Sequence, residues 1–167
     1  MRFEEFAATR LPAVLRFAGV LTADHALAED VVQEVLIRAS KRWDHIGQLD
    51  RPELYVRKMI VNEYISWRRR SWRLLPSGSA AEIDDRITPD HAGQHAERDA
   101  LLIEIGKLPR RQRAVLVLRY YEGLPDLEIA GILGCAPGTV RGHASRALAT
   151  LRIELSPRPL IATEEER

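Results

Sequence analysis

Polar side chains surround the start of one short helical segment near the carboxyl end of the sequence. Residues 134–152 read GCAPGTVRGHASRALATLR, and the side chains with hydrogen-bonding capacity are Thr139, Arg141, His143, Ser145 and Arg146. Arginine bonds bidentately to guanine O6 and N7, while serine and threonine reach base edges or phosphates. The free N–H groups at a helix start also favour phosphate. The residue types therefore indicate a surface that reads DNA.

The elements around this surface predict a helix-turn-helix. The spacing predicts helices over 126–133 and 137–153, with Gly134 as a left-handed cap and Pro137 in the first turn of the second helix. Cys135 is expected to point inward as a small apolar group. The apolar side of the second helix is Val140, Ala144, Ala147, Leu148 and Leu151. In a helix-turn-helix the second helix enters the major groove. An ordinary helical hairpin with a solvated polar face is the alternative at this point.

A second polar surface is predicted on the helix over 25–43, for which Asp24 is the expected N-cap. Its side chains at i, i+3, i+4 and i+7 are Asp30, Gln33, Glu34 and Ile37, which share one face beside the Val31 and Val35 stripe. A face that mixes carboxylates, an amide and an aliphatic side chain suits a protein partner with a basic rim. A solvated acidic face is the alternative.

A third surface is predicted over residues 49–73, where aromatic and basic side chains alternate. The aromatics are Tyr55, Tyr64, Trp67 and Trp72, and the basic residues are Arg57, Lys58, Arg68, Arg69, Arg70 and Arg73. Single-stranded nucleic acid is bound by this chemistry, because cations follow phosphates while aromatic faces stack on bases. Alternatively, Tyr55 and Tyr64 belong to the core and the arginine run is a solvated helix end.

The elements that position these residues are all predicted to be helical. Further helices are expected over 3–21, with a kink or break at Pro12, and over 52–70, 96–107 and 109–121. Gly123 is expected to end the last of them in a left-handed conformation. The apolar stripe expected on 52–70 is Leu54, Tyr55, Met59, Asn62 and Ile65, and residues 74–94 read as a linker. We therefore predict an all-α fold with two small helical domains.

Composition and charge narrow the function further. The 167 residues carry a net charge of +1, but the sign alternates along the chain: acidic over 3–50, basic over 51–73, acidic over 74–100 and basic over 101–155. The single cysteine excludes an internal disulfide, and no apolar run is long enough to cross a bilayer. The five histidines have no metal-ligand spacing, and no phosphate loop or nucleophile motif is present. We therefore expect a cytoplasmic protein without metal, cofactor or enzymatic activity.

The motifs DVVQEV, YVRKMIVNEY and GTVRGHASRALATLR, in this order, resemble the extracytoplasmic-function sigma factors of bacterial RNA polymerase, especially the actinobacterial sigma-E-type members. This resemblance implies four segments: residues 1–73 as sigma region 2, 74–97 as an acidic linker in the RNA channel of the polymerase, 98–155 as region 4, and 156–167 as a tail. The protein is then a sigma factor that binds core polymerase and directs initiation from −10 and −35 elements.

The resemblance also implies roles for individual residues. The contacts to core polymerase become Asp30, Gln33, Glu34 and Ile37. Those to the −10 element become Tyr55, Lys58, Asn62, Trp67, Arg68, Arg69 and Arg70, with a specificity loop at 44–50. Those to the −35 element become Pro137, Gly138, Thr139, Arg141, His143, Ser145 and Arg146. Pro125, Ala136 and Gly142 depart from the family, which often has serine at these positions.

The implied partners are promoter DNA and core polymerase, through the clamp coiled coil of its largest subunit and the flap of the second subunit. A probable anti-sigma factor is expected as well, and the free protein is expected to be a monomer. The alternative is a two-domain helix-turn-helix regulator that binds DNA as a dimer without acting as a polymerase subunit.

Overall fold

The computed structural model describes residues 1–74 and 96–151, with side chains for 1–66 and 101–151. Within these ranges all the regular structure is helical, as predicted. The helices are α1 Phe3–Thr22, α2 His25–Ser40, α3 Trp43–Ile46, α4 Pro52–Leu74, α5 Ala96–Gly106, α6 Arg110–Leu116, α7 Asp126–Leu133 and α8 Pro137–Leu151. A π-helical turn, Val117–Tyr121, continues α6. The chain divides into two compact units between Lys107 and Leu108, called unit 1 and unit 2 below.

The core of unit 1 is formed by one stripe from each of its long helices. The buried side chains are Phe6, Val14, Phe17, Ala18 and Leu21 on α1, Val31, Val32, Val35 and Ala39 on α2, and Val56, Ile60, Val61 and Tyr64 on α4. The predicted cap at Asp24 is confirmed, because its Oδ1 accepts a 3.0 Å hydrogen bond from the Leu27 N–H. The apolar spacing of α2 therefore identified its buried side correctly.

Three details of unit 1 differ from the sequence predictions. α1 continues through Pro12 without a break; Pro12 lies on the exposed face, where water can reach the carbonyl group that a proline leaves unbonded. α2 ends at Ser40, and Trp43 begins the separate helix α3. The stripe predicted on α4 was wrong: Asn62 is exposed, whereas Val56, Ile60 and Tyr64, four residues apart, face the core.

Trp43 is the anchor of the short helix α3. Its ring lies 4.7 Å from the Phe6 ring and 5.3 Å from the Phe3 ring, measured between centroids. Its indole Nε1 donates a 2.9 Å hydrogen bond to the Met1 carbonyl oxygen. Gly47 lies next to this bond, and because it has no Cβ it leaves room for both the Trp43 Nε1 and the Met1 carbonyl oxygen.

Unit 2 has its own small core around α6 and α8. Leu108, Leu116, Ala147 and Leu148 are buried together, with Tyr120 and Leu151 packed against them. The left-handed conformations predicted for Gly123 and Gly134 are confirmed, with φ values of 68° and 64°. Cys135 was predicted to be buried, but it is only half-buried. The linker predicted over 74–94, except for Leu74, and the tail 156–167 lie outside the described residues.

Replacing Gly47 by alanine is expected to destabilise unit 1 by about 1–3 kcal/mol, because the added Cβ overpacks the site. It would lie 2.8 Å from the Trp43 Nε1, 2.9 Å from the Met1 carbonyl oxygen and 3.0 Å from the Trp43 carbonyl oxygen. Urea unfolding followed by tryptophan fluorescence measures this, since all three tryptophans lie in the first 74 residues.

The matched control is Gly19→Ala in α1, where a new Cβ would have no neighbour within 4 Å. That variant should gain roughly 0.5–1 kcal/mol from the lower entropy of the unfolded chain. A Gly47→Ala protein as stable as the wild type would contradict the packing described at Trp43.

Candidate nucleic-acid and polymerase interfaces

α8 buries the side that its spacing predicts and exposes the polar residues of the predicted DNA-reading surface. Val140, Ala144, Ala147 and Leu148 are buried, and Leu151 is half-buried. Gly138, Thr139, Arg141, Ser145 and Arg146 are exposed, while Pro137 and His143 are half-buried. The whole predicted −35 set thus lies on one helix, and its most polar members face solvent.

Glycines alternate with arginines on the exposed side of α8. The Arg141 Nη2 lies 3.7 Å from the position a Cβ would take at Gly138, and the Arg146 Nη2 lies 3.7 Å from the corresponding position at Gly142. The Arg146 Nη2 is also 3.3 Å from the Nδ1 of His143. Both guanidinium groups therefore lie back along the helix over bare backbone.

The electrostatics around His143 favour its neutral form. Partial burial lowers its pKa below the ordinary value, and the charges of Arg146 and of Arg111, on α6, lower it further. Arg111 is exposed, and its effect on the pKa of His143 shows that α6 places positive charge near this part of α8. Arg113 is buried instead, and its Nη2 donates a 3.1 Å hydrogen bond to the Leu108 carbonyl oxygen.

An ion pair supports α7, the helix that precedes α8. The N-cap residue of α7, Pro125, makes no side-chain capping hydrogen bond. The Arg119 Nε, from the π-helical turn, donates a 3.0 Å hydrogen bond to the Asp126 Oδ1 in the first turn of α7. Burial lowers the pKa of Arg119, but the hydrogen bond and charge of Asp126, together with the interaction with Tyr120, outweigh it and the net pKa is raised. Arg119 therefore ties α7 to α6 where a capping serine is missing.

The acidic face of α2 is exposed as predicted. Asp30 and Gln33 are exposed, as is Ile37, which shows 47% of its surface to solvent. Glu34 is half-buried and lies 3.7 Å from the Arg38 Nε. Arg38 also pairs with Glu63 of α4, whose side chain is 1% exposed. A carboxylate enclosed in the core of unit 1 thus holds an arginine that lies beside the acidic face.

An apolar groove of about 480 Å³ runs between α1 and α2 next to this face. α1 supplies Phe3, Ala7, Leu11 and Leu15, and α2 supplies Val32 and Leu36, together with Gln33 and Ile37 of the predicted surface. Sequence reasoning missed the contribution of α1. The signal was present, because apolar residues recur every four positions from Phe3 to Leu15, beside the buried stripe.

The structure describes the predicted −10 surface only in part. Lys58 and Asn62 are exposed on α4, and Tyr55 is half-buried. Tyr64 is buried in the core, so the alternative reading was correct for that tyrosine. The backbone of α4 includes Trp67, Arg68, Arg69 and Arg70, but their side chains lie outside the described residues.

No group of histidine, cysteine, aspartate or glutamate side chains in residues 1–66 and 101–151 is arranged to hold a metal ion. Among the described helices, none is long and apolar enough to cross a membrane.

Comparison with known proteins identifies the family. The Sigma-70 region 2 profile matches residues 6–74, and the profile for Sigma-70, region 4 matches residues 98–151. The RNA polymerase sigma-E factor of Streptomyces avermitilis is 39% identical over 168 residues, covering 100% of this chain and 92% of that protein. The chain belongs to the sigma-70 family. It is a sigma factor of the extracytoplasmic-function group, and it directs RNA polymerase to promoters and transcription initiation.

Further relatives agree with this assignment. The RNA polymerase sigma-E factor of Streptomyces coelicolor is 36% identical over 167 residues, covering 100% of this chain and 93% of that protein. The ECF RNA polymerase sigma factor SigL of Mycobacterium tuberculosis is 35% identical over 145 residues, covering 84% of this chain and 81% of that protein. A dimeric regulator without polymerase is not favoured, because region 2 accounts for the amino-terminal half.

Among solved structures, the sigma factor RpoE of Bartonella quintana, crystallised in complex with the anti-sigma factor NepR, is similar to this chain. The TM-score is 0.66 and the sequence identity is 26%, with 92% of this chain and 98% of that one covered. The helical architecture of the two proteins is thus shared over nearly their whole lengths.

Arg38→Ala is expected to lower the stability of unit 1 by about 1–3 kcal/mol, because it removes a partner from the buried Glu63 carboxylate. Urea unfolding followed by tryptophan fluorescence gives the free energy. Arg16→Ala, at an exposed position on α1, is the control and should change it by less than about 0.5 kcal/mol. Equal losses in the two variants would contradict a special role for Arg38.

Unit 2 is expected to lose stability on acidification through His143. Because the folded pKa is lowered, the unfolded chain takes up the proton first; the contribution of His143 is present above about pH 6.5 and is lost below it. His143→Gln removes this term. The wild-type free energy of unfolding, from urea titrations followed by NMR signals of α8, should therefore fall relative to the variant between about pH 7.5 and pH 5.5. A difference that stays constant with pH would exclude the effect.

Proposed function

We propose that the two units divide the work of promoter recognition as follows: residues 1–73 bind core polymerase and the −10 element, 74–97 link them, and 98–155 bind the −35 element, with 156–167 as a tail. The observation that carries this proposal is the exposure of the acidic α2 face beside an open apolar groove. A face sealed in the core could not serve as a docking surface.

The chemistry of the docking surface favours a helical partner. The groove offers apolar walls from α1 and α2, with Glu29 and Gln33 among its lining residues. Asp30 and Glu34 follow these two residues along α2, and together the four side chains make a polar and anionic rim. An amphipathic helix places apolar side chains in such a groove while basic side chains meet the rim. We assign this role to the clamp coiled coil of the largest polymerase subunit. Arg38 supports the rim by holding Glu34 from the side.

The −10 element is assigned to the exposed side of α4. Lys58 and Asn62 lie on this side, Tyr55 is half-exposed, and Trp67 with the Arg68–Arg70 run follows on the same helix. Cations that follow phosphates and an aromatic residue that stacks on a base suit a melted strand. Residues 44–50, which begin within α3 and follow the Trp43 anchor, are the proposed specificity loop.

The −35 element is assigned to α8, which carries Arg141 and Arg146 on its exposed side. Bare backbone at Gly138 and Gly142 lets this helix approach the floor of the major groove closely, and Arg111 adds positive charge from α6. Unit 2 also takes the flap of the second polymerase subunit as its partner in this proposal.

The remaining assignments follow from the family. The chain acts in the cytoplasm as a non-catalytic subunit, is a monomer when free, and is controlled by an anti-sigma factor, as the complex of RpoE with NepR illustrates for a similar protein. The free chain is expected to bind promoter DNA poorly, because its net charge is only +1. Core polymerase would hold both units at promoter spacing and raise their effective concentration.

Run-off transcription with purified core polymerase tests the docking surface. Asp30→Lys and Glu34→Lys are each expected to abolish core binding and transcription, because a cation then faces the basic rim of the partner. Circular dichroism should show an unchanged fold. Glu5→Lys makes the same charge change on the exposed side of α1 away from the groove, and should transcribe like the wild type. Full core binding by both α2 variants would refute the assignment.

Substitutions in α8 should separate the reading of the −35 element from the binding of core polymerase. Arg141→Ala and Arg146→Ala are each expected to reduce transcription roughly fivefold or more, because a bidentate base contact contributes about 1–3 kcal/mol of discrimination. Co-elution with core polymerase should be unchanged. Loss of core binding in these variants would place the polymerase contact, rather than the −35 contact, on α8.

A further inference from the structure

The contact between His143 and Arg146 joins neighbouring side chains on the exposed side of α8. The Arg146 Nη2 lies 3.3 Å from the His143 Nδ1, and the residues are three apart, one helical turn. Because a guanidinium only donates hydrogen bonds, Nδ1 must be the acceptor, and the ring proton then resides on Nε2. The contact therefore requires a neutral imidazole.

Gly142 makes this arrangement possible. A Cβ at Gly142 would lie 3.7 Å from the Arg146 Nη2, 3.8 Å from Nη1 and 4.0 Å from Cζ, so the whole guanidinium group rests over this position. On one side it meets bare backbone and on the other the imidazole. Arg141, by contrast, lies over Gly138 with no histidine contact described for it.

We propose that His143 is a positioning residue of the −35 interface, which holds the Arg146 guanidinium through Nδ1 and so restricts which bases Arg146 can read. This inference rests on the proposed function of α8. An arginine side chain with free rotation reaches several base pairs, whereas one held on the helix surface presents its planar fork to a narrower set. His143 thereby acts on sequence selectivity more than on affinity.

The charges around His143 also bear on its positioning of Arg146. Arg146 on α8 and Arg111 on α6 both act on the imidazole; on α7, Asp126 is paired with Arg119, and Glu128 is exposed. A cation at position 143 would repel the Arg146 guanidinium from its position over Gly142 and would strengthen contacts to phosphate. Such a change adds affinity for any sequence and removes discrimination between sequences.

The test is a selection of promoters by the holoenzyme. Core polymerase with wild-type chain transcribes a promoter library whose −35 element is randomised, and the transcribed templates are sequenced. His143→Ala removes the acceptor, His143→Asn keeps an acceptor near the Nδ1 position, and His143→Lys introduces a cation. Arg146→Ala identifies the base positions that Arg146 reads, and Arg141→Ala identifies those read by its neighbour.

We expect His143→Ala to weaken the preference at the Arg146 positions by roughly threefold or more, within the range of one bidentate base contact. The Arg141 positions should keep their preference. His143→Asn should restore much of the selectivity, and His143→Lys should lower it while raising binding to unselected duplex. The double variant His143→Ala with Arg146→Ala should select like Arg146→Ala alone, because the two residues act as one unit.

Three results would overturn the inference: an unchanged sequence profile for His143→Ala, an effect spread equally over the Arg141 positions, or additive effects in the double variant. Failure of the wild-type holoenzyme to give promoter-directed transcripts would instead refute the proposed function. Urea unfolding shows whether each variant is as stable as the wild type, which distinguishes a lost contact from a lost fold. His143→Asn, which keeps a polar side chain, is the comparison for His143→Ala.

Discussion

The ion pair between Arg38 and Glu63 connects the two helices of unit 1 to which the proposed function assigns its contacts, α2 and α4. Glu63 is enclosed on α4, and a buried carboxylate is costly unless a cation and hydrogen bonds satisfy it. Arg38 supplies that charge from α2 and also lies beside Glu34. The pair therefore holds α2 against α4, and with it the acidic face of α2 against the exposed side of α4 to which the −10 element is assigned in the proposed function. Arg57 links α4 to α1 in another way: it pairs with Glu53 on its own helix, and its Cζ lies 5.4 Å from the centroid of the Phe17 ring on α1.

Unit 2 meets a different constraint, because α8 exposes most of its polar side and must be held by a narrow buried side. α8 contributes a narrow apolar stripe to a small core, which leaves little buried area to stabilise it. Specific contacts add to that core: the hydrogen bond from the buried Arg113 to the Leu108 carbonyl oxygen, the left-handed turns at Gly123 and Gly134, and the Arg119–Asp126 pair at the uncapped start of α7. None of them involves Arg141 or Arg146 on the exposed side of α8.

Sequence periodicity correctly predicted the buried side of those helices that carry one narrow apolar stripe. On α2 and α8 the apolar stripe is narrow and regular, so the exposed sides, with Gln33 and Arg146, followed directly. α4 was harder, because apolar and aromatic residues occur on several of its sides and only tertiary contacts decide that Tyr64 rather than Asn62 is buried. α1 carries two apolar stripes, one for the core and one for the groove, and composition alone does not separate them. The contact of His143 with Arg146 depends on rotamers, which a single sequence does not specify.

The apolar groove and the charged surfaces fit the proposed action of this sigma factor as part of a complex. Leaving Leu11, Leu15 and Ile37 accessible to water costs free energy that a partner recovers on docking. If α8 reads the −35 element as proposed, its few cations would give weak binding to duplex at physiological salt without core polymerase. Simultaneous engagement of both units would then make the assembly both strong and selective. Under the same proposal, a protein that occupied the exposed groove would prevent initiation, because without docking neither proposed nucleic-acid surface would reach a useful effective concentration.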